Sequence, residues 1–235
     1  DLLYIALAFV SEVTGTISGF GSSTFFVPAA VLLETFGFVL ALTAILHCFG
    51  NFSKIFIFRK HFPKELIVRL ALPSVILAGA GAIASSYVSV GLLTRLLGLT
   101  LIFVSLASLL RKKEATKISV TSASAICGLS GLMTGLVGTG GAIRGMGLTA
   151  LALDRHSFVA LSAAIDLGGD LIRAAIYLNK GYMDWSQWFY IPALGVAAIL
   201  GATSGKYILS RINQKQFKQL VSLFVLISGI MMVFS

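Results

Sequence analysis

Two sets of five residues recur at one spacing inside apolar stretches. Thr43, His47, Asn51, Lys54 and Phe58 fall at i, i+4, i+8, i+11 and i+15, and Ser162, Asp166, Asp170, Arg173 and Tyr177 repeat that spacing 119 residues later. On a helix this spacing places each set along a single face. Each face then carries a hydroxyl, two further polar or ionisable groups, and a cation. An ionisable side chain near the centre of a membrane helix costs roughly 2.5–3.5 kcal/mol, so such residues mark a site by default. Lys54 and Arg173 suit the attraction of an anion, with Asn51, Thr43 and Ser162 as hydrogen-bonding neighbours. Asp166 and Asp170 lie one turn apart and repel if both are ionised, which makes them the first candidates for carrying a proton. His47 holds the register of Asp166 and is the third candidate. Plainer readings stand beside these: Lys54, near a basic loop, can snorkel to headgroups; Arg173 can pair locally with Asp170; His47 can be an interhelical hydrogen bonder. Glu12, in the first apolar run, is either another proton site or an end cap.

The elements that must hold these faces are unusual helices. Residues 128–147 carry a glycine every few positions in an apolar run, together with one cation, Arg144. Each glycine in a helix interior costs about 1 kcal/mol relative to alanine, and unpaired backbone is not tolerated facing lipid. The cluster Gly138, Gly140, Gly141 therefore predicts a helix broken inside the membrane, with amides free for a ligand. For Gly128, Gly131 and Gly135 close helix packing explains the spacing equally well. The first apolar region, from Leu2 to Leu33, has a similar polar middle that includes Gly21, Ser22, Ser23 and Thr24. Helix N-termini exposed at two such breaks would present amides and positive dipole ends to an anion, supplemented by Ser22, Ser23 and Thr24 on one side and Thr139 and Arg144 on the other.

Composition sets the class. The chain is 57% hydrophobic and only 11% charged, with mean hydropathy +0.95, against roughly 25% charged in soluble domains. A polytopic all-α membrane protein is expected. The net charge of +9 does not signal nucleic acid, because the basic residues sit in short loops between apolar runs, as the positive-inside rule requires of a cytoplasmic membrane. Cys48 and Cys127 lie in apolar segments and give no disulfide framework. There is no Cys/His cluster, no H-E-x-x-H and no phosphate-binding Gly-Lys-Ser/Thr loop, so neither an enzyme, a metal nor another cofactor is expected. The chain begins at Asp1 rather than Met, so a signal peptide cannot be judged from it.

Spans are expected at about 38–58, 66–88, 92–110, 158–178, 188–209 and 217–234, each near the 20 residues that cross a bilayer. The offset of 119 also carries Gly19-Phe20-Gly21 onto Gly138-Thr139-Gly140, Gly50 onto Gly169 and Pro73 onto Pro192. One register placing several separate features implies an internal repeat: 1–110, a basic cytoplasmic linker at 111–118, and 119–235. In the first half the loop after the second run is basic (Arg59, Lys60, Lys64) and the next is neutral. In the second half the corresponding loop holds only Lys180 and Asp184, and the basic one comes next (Arg211, Lys215, Lys218). This exchange of sides predicts inverted repeats, each a broken or re-entrant element plus three full spans, with both chain ends outside. Tyr182, Trp185, Trp188 and Tyr190 suit an interfacial aromatic belt.

The element Gly15-Thr-Ile-Ser-Gly-Phe-Gly21 with Val27-Pro28 and Ala41-Leu-Thr43, and its second version Gly131-Leu-Met-Thr-Gly-Leu-Val-Gly-Thr-Gly-Gly141 with Ala160-Leu-Ser162, resembles the sulfite exporter TauE/SafE family. So does the ending, Gly181-Tyr-Met-Asp-Trp185, Gly201-Ala-Thr-Ser-Gly205 and Arg211. The resemblance departs where Gly21-Ser22-Ser23 replaces a run of three glycines and where Gly147 replaces an expected proline. It implies a secondary transporter that exports sulfite, sulfoacetate or a related organosulfonate, coupled to protons. In that reading Lys54, Arg173 and Arg144 attract substrate, Ser22, Ser23, Thr24, Thr139, Gly140 and Gly141 orient it, and Asp166, Asp170 or His47 carries the proton. The partners expected are a small anion, protons and the lipid bilayer of the inner membrane, with homo-oligomerisation open. A small-anion channel and a non-transporting membrane scaffold remain alternatives.

Overall fold

The computed structural model describes residues 2–18, 21–61, 63–110, 118–151, 153–209 and 211–234. Gly19, Phe20 and nearly all of the 111–118 linker lie outside them, as do the side chains of Lys215 and Lys218. The described residues form ten α-helices: α1 (Leu2–Ser18), α2 (Ser23–Ala30), α3 (Phe36–Ile57), α4 (Lys64–Ala84), α5 (Val90–Leu110), α6 (Val120–Val137), α7 (Gly141–Thr149), α8 (Arg155–Asn179), α9 (Tyr190–Leu209) and α10 (Gln214–Phe234). Phe36–Ile57, Glu65–Ala84, Val90–Leu110, Val120–Val137 and Tyr190–Leu209 are long and apolar enough to cross a membrane. The 25-residue α8 is longer than any of these, but Asp166, Asp170 and Arg173 make it more polar.

The glycines divide into two kinds. Gly131 and Gly135 lie within the unbroken α6, where an added Cβ would come within 2.1 Å of the Ser74 carbonyl and 2.0 Å of the Ala78 carbonyl of α4. They are contact glycines that let α4 and α6 touch along their backbones. The break comes at Gly138, which ends α6 in the left-handed conformation (φ 81°) and donates its amide to the Thr134 carbonyl at 3.0 Å. The chain then folds back on itself. Ser130 Oγ donates to the Gly140 carbonyl at 2.7 Å, Gly147 lies against Ile126, and the Ile118 amide donates to the Ala150 carbonyl at 3.4 Å. Helix α7 thus runs antiparallel to α6 and ends beside its start, a helical hairpin. The first half turns in the same way, with Gly15 of α1 packed against the Ser22 amide just before α2.

Helices α1 and α9 pack together, as do α4 and α6; α5 packs on α10, α3 on α8, α3 on α9 and α4 on α8. Exchanging α1–α5 for α6–α10 in order interchanges α1–α9 with α4–α6 and α3–α9 with α4–α8 and maps α5–α10 and α3–α8 onto themselves, so the packing follows the 119-residue repeat. Contact glycines serve other pairs as well: Gly201 and Gly205 of α9 admit α1, and Gly98 and Gly229 face each other between α5 and α10. The core centres on α3, whose Leu40, Ala41, Leu42, Ala44 and Leu46 are almost wholly buried. Helix α8 starts at Asp154, whose carboxylate accepts the amides of His156 at 3.0 Å and Ser157 at 3.1 Å. The Ser157 hydroxyl, followed by these amides, holds the Asp154 carboxyl below the usual carboxylate range.

Candidate functional site

Helices α3 and α8 run antiparallel through the middle of the molecule, and their polar faces meet. Asn51 Nδ2 donates to Asp170 Oδ2 at 2.6 Å. Arg173 Nε donates to Asp170 Oδ1 at 2.9 Å, and its Nη2 lies 3.3 Å from His47 Nδ1, itself 3.7 Å from Asp170 Oδ1. The local Arg173–Asp170 pair therefore exists, but it is bound into a network that joins both halves. Asp166, one turn before Asp170, has its own cation: the Arg144 guanidinium from α7 pairs with its Oδ1 and also donates Nε to Ser162 Oγ at 2.9 Å. The two aspartates are neighbours on one helix, each held by a different arginine.

Lys54 is 7% exposed, too buried for a lysine that reaches headgroups. Its ammonium pairs with Glu12 of α1, which is fully buried. Ionic groups in this region thus balance as Lys54 with Glu12, Arg144 with Asp166, and Arg173 with Asp170.

An open pocket, about 370 Å³ of empty space counted together with its solvent-facing mouth, lies along the last turns of α3 and the first turns of α8. Its walls carry His47, Asn51, Lys54, Arg144, Ser162 and Asp166, together with Ser22 and Gly21 from the first break. Two buried polar atoms of its wall residues, Ser22 Oγ and His47 Nε2, have no hydrogen-bond partner among the described residues, and neither does Nη1 of Arg173. Buried polar atoms are nearly always paired, so unpaired ones beside a pocket point to a ligand. Gly15, Thr16, Phe158, Val159 and Ala163 complete the lining. Sequence reasoning did not single these out as site residues. The legible signal was position: Phe158 and Val159 precede Ser162 by four and three residues, on the same helical face.

Residues 4–232, nearly the whole chain, match the family described as sulfite exporter TauE/SafE. The chain belongs to that family. None of the curated proteins compared matches it. Membership in TauE/SafE makes this a multi-pass membrane protein of an anion-exporting family, and the family is one of transporters rather than enzymes.

The remaining expected site residues of this TauE/SafE chain lie away from the pocket. Helices α2 and α7 meet where Gly21 faces Gly141 at 3.5 Å from its projected Cβ. There Ser23 Oγ donates to Thr139 Oγ1 at 3.3 Å, and Thr24 Oγ1 is also 3.3 Å from it. Thr24, Thr139 and Gly140 line a smaller hollow facing Thr100 of α5. Thr43 is buried and donates to its own helix at the Val39 carbonyl, 2.6 Å away. Phe58 packs on Val159 and Ala160, whereas the Tyr177 hydroxyl reaches the Gly135 carbonyl. His47, Asp166 and Asp170 bring ligand atoms within 4.8 Å of one another. Two guanidiniums already engage these carboxylates, so the donor set is charge-compensated without a metal ion.

Proposed function

We propose that the chain is a secondary transporter that exports a small sulfur-containing anion, such as sulfite, sulfoacetate or a related organosulfonate, across the inner membrane with coupled proton movement. One observation carries the reading: Lys54 and Arg144 share a single pocket with Ser22 Oγ and His47 Nε2, two buried polar atoms that have no hydrogen-bond partner among the described residues. A tetrahedral or pyramidal oxyanion has several acceptor oxygens and suits a cluster of guanidinium, ammonium and hydroxyl donors. The N-terminus of α2, beside the pocket at Ser22, adds a positive dipole end.

Charge balance supports the proton coupling. Lys54, Arg144 and Arg173 match Glu12, Asp166 and Asp170, so an entering anion makes the buried region negative. An unpaired buried charge is costly, and a proton removes the excess. Asp166 is the carboxylate we assign to it, since it surrenders Arg144 to the substrate. Asp170 and His47 form the adjoining part of that network.

The two repeats, 1–110 and 119–235, are read as inverted: each contributes one re-entrant hairpin and three spans, an odd number of crossings. The pocket lies toward the end of α3 that continues into Arg59 and Lys60, the cytoplasmic side by the positive-inside rule. In the alternate conformation the register-mates of the pocket residues would form the outer site, with Arg173, Asp170, Thr43, Gly140 and Gly141 in the places of Lys54, Asn51, Ser162, Gly21 and Ser22. Ser23, Thr24 and Thr139 would hold the two hairpins together at the crossing.

Flux of sulfite and of methanesulfonate into proteoliposomes tests the reading. Saturable flux accelerated by a pH gradient, and lost in Lys54→Met and Arg144→Met, is expected. Non-saturating flux indifferent to the gradient would make the protein a channel, and flux untouched by both substitutions would remove the site altogether.

A further inference from the structure

Glu12 is left by the sequence as either another proton site or an end cap, and its surroundings are peculiar. It is fully buried in α1, one turn before the pocket residue Thr16, whose hydroxyl donates to the Glu12 carbonyl at 2.8 Å. Glycines of two other helices make its slot. A Cβ on Gly50 of α3 would come within 2.6 Å of Glu12 Oε1, and one on Gly201 of α9 within 2.7 Å of Glu12 Cβ. Carboxylates accept about four hydrogen bonds when fully satisfied. Here the Lys54 ammonium is the one cation paired with Glu12 among the described residues, and neither carboxylate oxygen accepts a well-aligned hydrogen bond from them. The carboxylate is therefore held almost entirely by Lys54, and Lys54 is also a wall of the pocket.

The register sharpens the point. Arg173, the counterpart of Lys54, takes its counter-ion from its own helix three residues away. The counterpart of Glu12 is Gly131, so the second half has no such carboxylate. An intrahelical pair travels with its helix, whereas a pair between α1 and α3 can be broken by anything that offers Lys54 another negative charge.

We propose that Glu12 is a built-in competitor for the transported anion. Its carboxylate satisfies Lys54 while the pocket is empty, gives up the ammonium when an oxyanion enters, and returns to it to help expel the anion. The two negative groups exclude each other because one ammonium serves both. This inference rests on the pocket's reading as an anion site. It differs from that reading in concerning how tightly the site holds its anion and how fast it lets go.

The experiment measures methanesulfonate on the full chain in nanodiscs and proteoliposomes, since this probe stays an anion at any working pH. Glu12→Gln keeps the shape and removes the competing charge. Methanesulfonate should then bind at least about tenfold more tightly, as expected when a stranded buried cation gains its missing partner. KM and kcat should both fall, because release becomes slow. Thermal stabilisation by the probe should exceed that of the unsubstituted protein. The pair Glu12→Gln/Lys54→Met should bind as weakly as Lys54→Met alone. A Glu12→Gln variant that binds the probe equally or more weakly, with KM unchanged or raised, would overturn the inference and leave Glu12 a structural ion pair. If the unsubstituted protein binds neither methanesulfonate nor sulfite, the pocket reading falls and this inference with it.

Discussion

Cutting the ion pair between α7 and α8 discriminates most sharply between a charged site and ordinary helix packing. Arg144 and Asp166 are 1% and 8% exposed, and the contact ties the α6–α7 hairpin to the helix that carries the second polar face. Neutral interhelical hydrogen bonds in a membrane average about 0.6 kcal/mol in double-mutant cycles and reach about 1.7 at most. Removing one partner of a buried ion pair costs about 3–5 kcal/mol, because the other charge is stranded. In Arg144→Met the stranded carboxylate sits one turn from Asp170, whose oxygens are already taken by Asn51 and Arg173. Ser162 and His47 stand in the same pocket wall but replace only part of what the guanidinium supplies, so a cost within that range is expected.

Equilibrium unfolding in mixed micelles for Arg144→Met, Asp166→Asn and the double variant closes the cycle. The expected coupling is about 3 kcal/mol or more, over a hundredfold in the folded-to-unfolded ratio. The charge-free double variant should recover most of the loss suffered by Arg144→Met. A coupling under about 1.7 kcal/mol would refute the argument, since it falls within the reach of a plain hydrogen bond. Flux separates the two roles: Asp166→Asn should retain anion binding while its dependence on the pH gradient weakens, whereas Arg144→Met should lose binding.

Gly135→Ala drives a methyl to 2.0 Å from the Ala78 carbonyl, a backbone atom that cannot step aside. The expected loss is at or above the 1–3 kcal/mol typical of overpacking, against about zero for Gly91→Ala, where a Cβ meets nothing within 4 Å; thermal unfolding of both checks it. Asp154→Ala removes an N-cap and should cost about 0.5–2 kcal/mol. Because the folded-state carboxyl titrates below its usual value, that contribution is present above the ordinary carboxylate range and fades as pH falls through the lowered value. Melting curves at pH 7 and pH 3 should show the gap closing. With Cys48 and Cys127 replaced, Lys60→Cys and its register-mate Asn179→Cys, both at exposed positions, should react with an impermeant thiol reagent from opposite membrane faces. Reaction from a single face would defeat the inverted-repeat reading.

Much of this arrangement was legible because periodicity is a local property. The spacing of Thr43 to Phe58 and of Ser162 to Tyr177 placed polar residues on two faces, and the structure brings Asn51 onto Asp170 and His47 beside Arg173. The break at Gly138–Gly141 was legible for the same reason. What a periodic reading cannot resolve is which neighbouring element supplies a partner. Lys54 and Glu12 are 42 residues apart, and the repeat gave no hint of their pairing because Gly131 occupies the matching position. Ser22, Ser23 and Thr24 looked like one donor cluster, but successive helical residues turn by about 100°. Ser22 therefore lines the pocket while Ser23 and Thr24 turn toward Thr139. The glycines of α6 were ambiguous because close packing and a helix break use the same residue. Only the proximity of the α4 carbonyls decides for packing at Gly131 and Gly135.

The repeat is imperfect at the residues that matter for an anion. Exchanging the halves carries Lys54 onto Arg173, but it carries Arg144 back onto Phe25. A site built from the register-mates would therefore hold one cation instead of two, and that cation, Arg173, is already paired within its own helix. In the proposed transport cycle the two faces then differ in affinity: the pocket present here captures the anion strongly, and its mirror holds it weakly. Gradients alone set the direction of net flux, since a protein shifts an equilibrium only through differential binding. Unequal faces still decide where the anion is captured at low concentration and where it is released into a higher one. With the pocket toward the cytoplasm, as proposed, Arg144 without a counterpart is the feature that suits the proposed export.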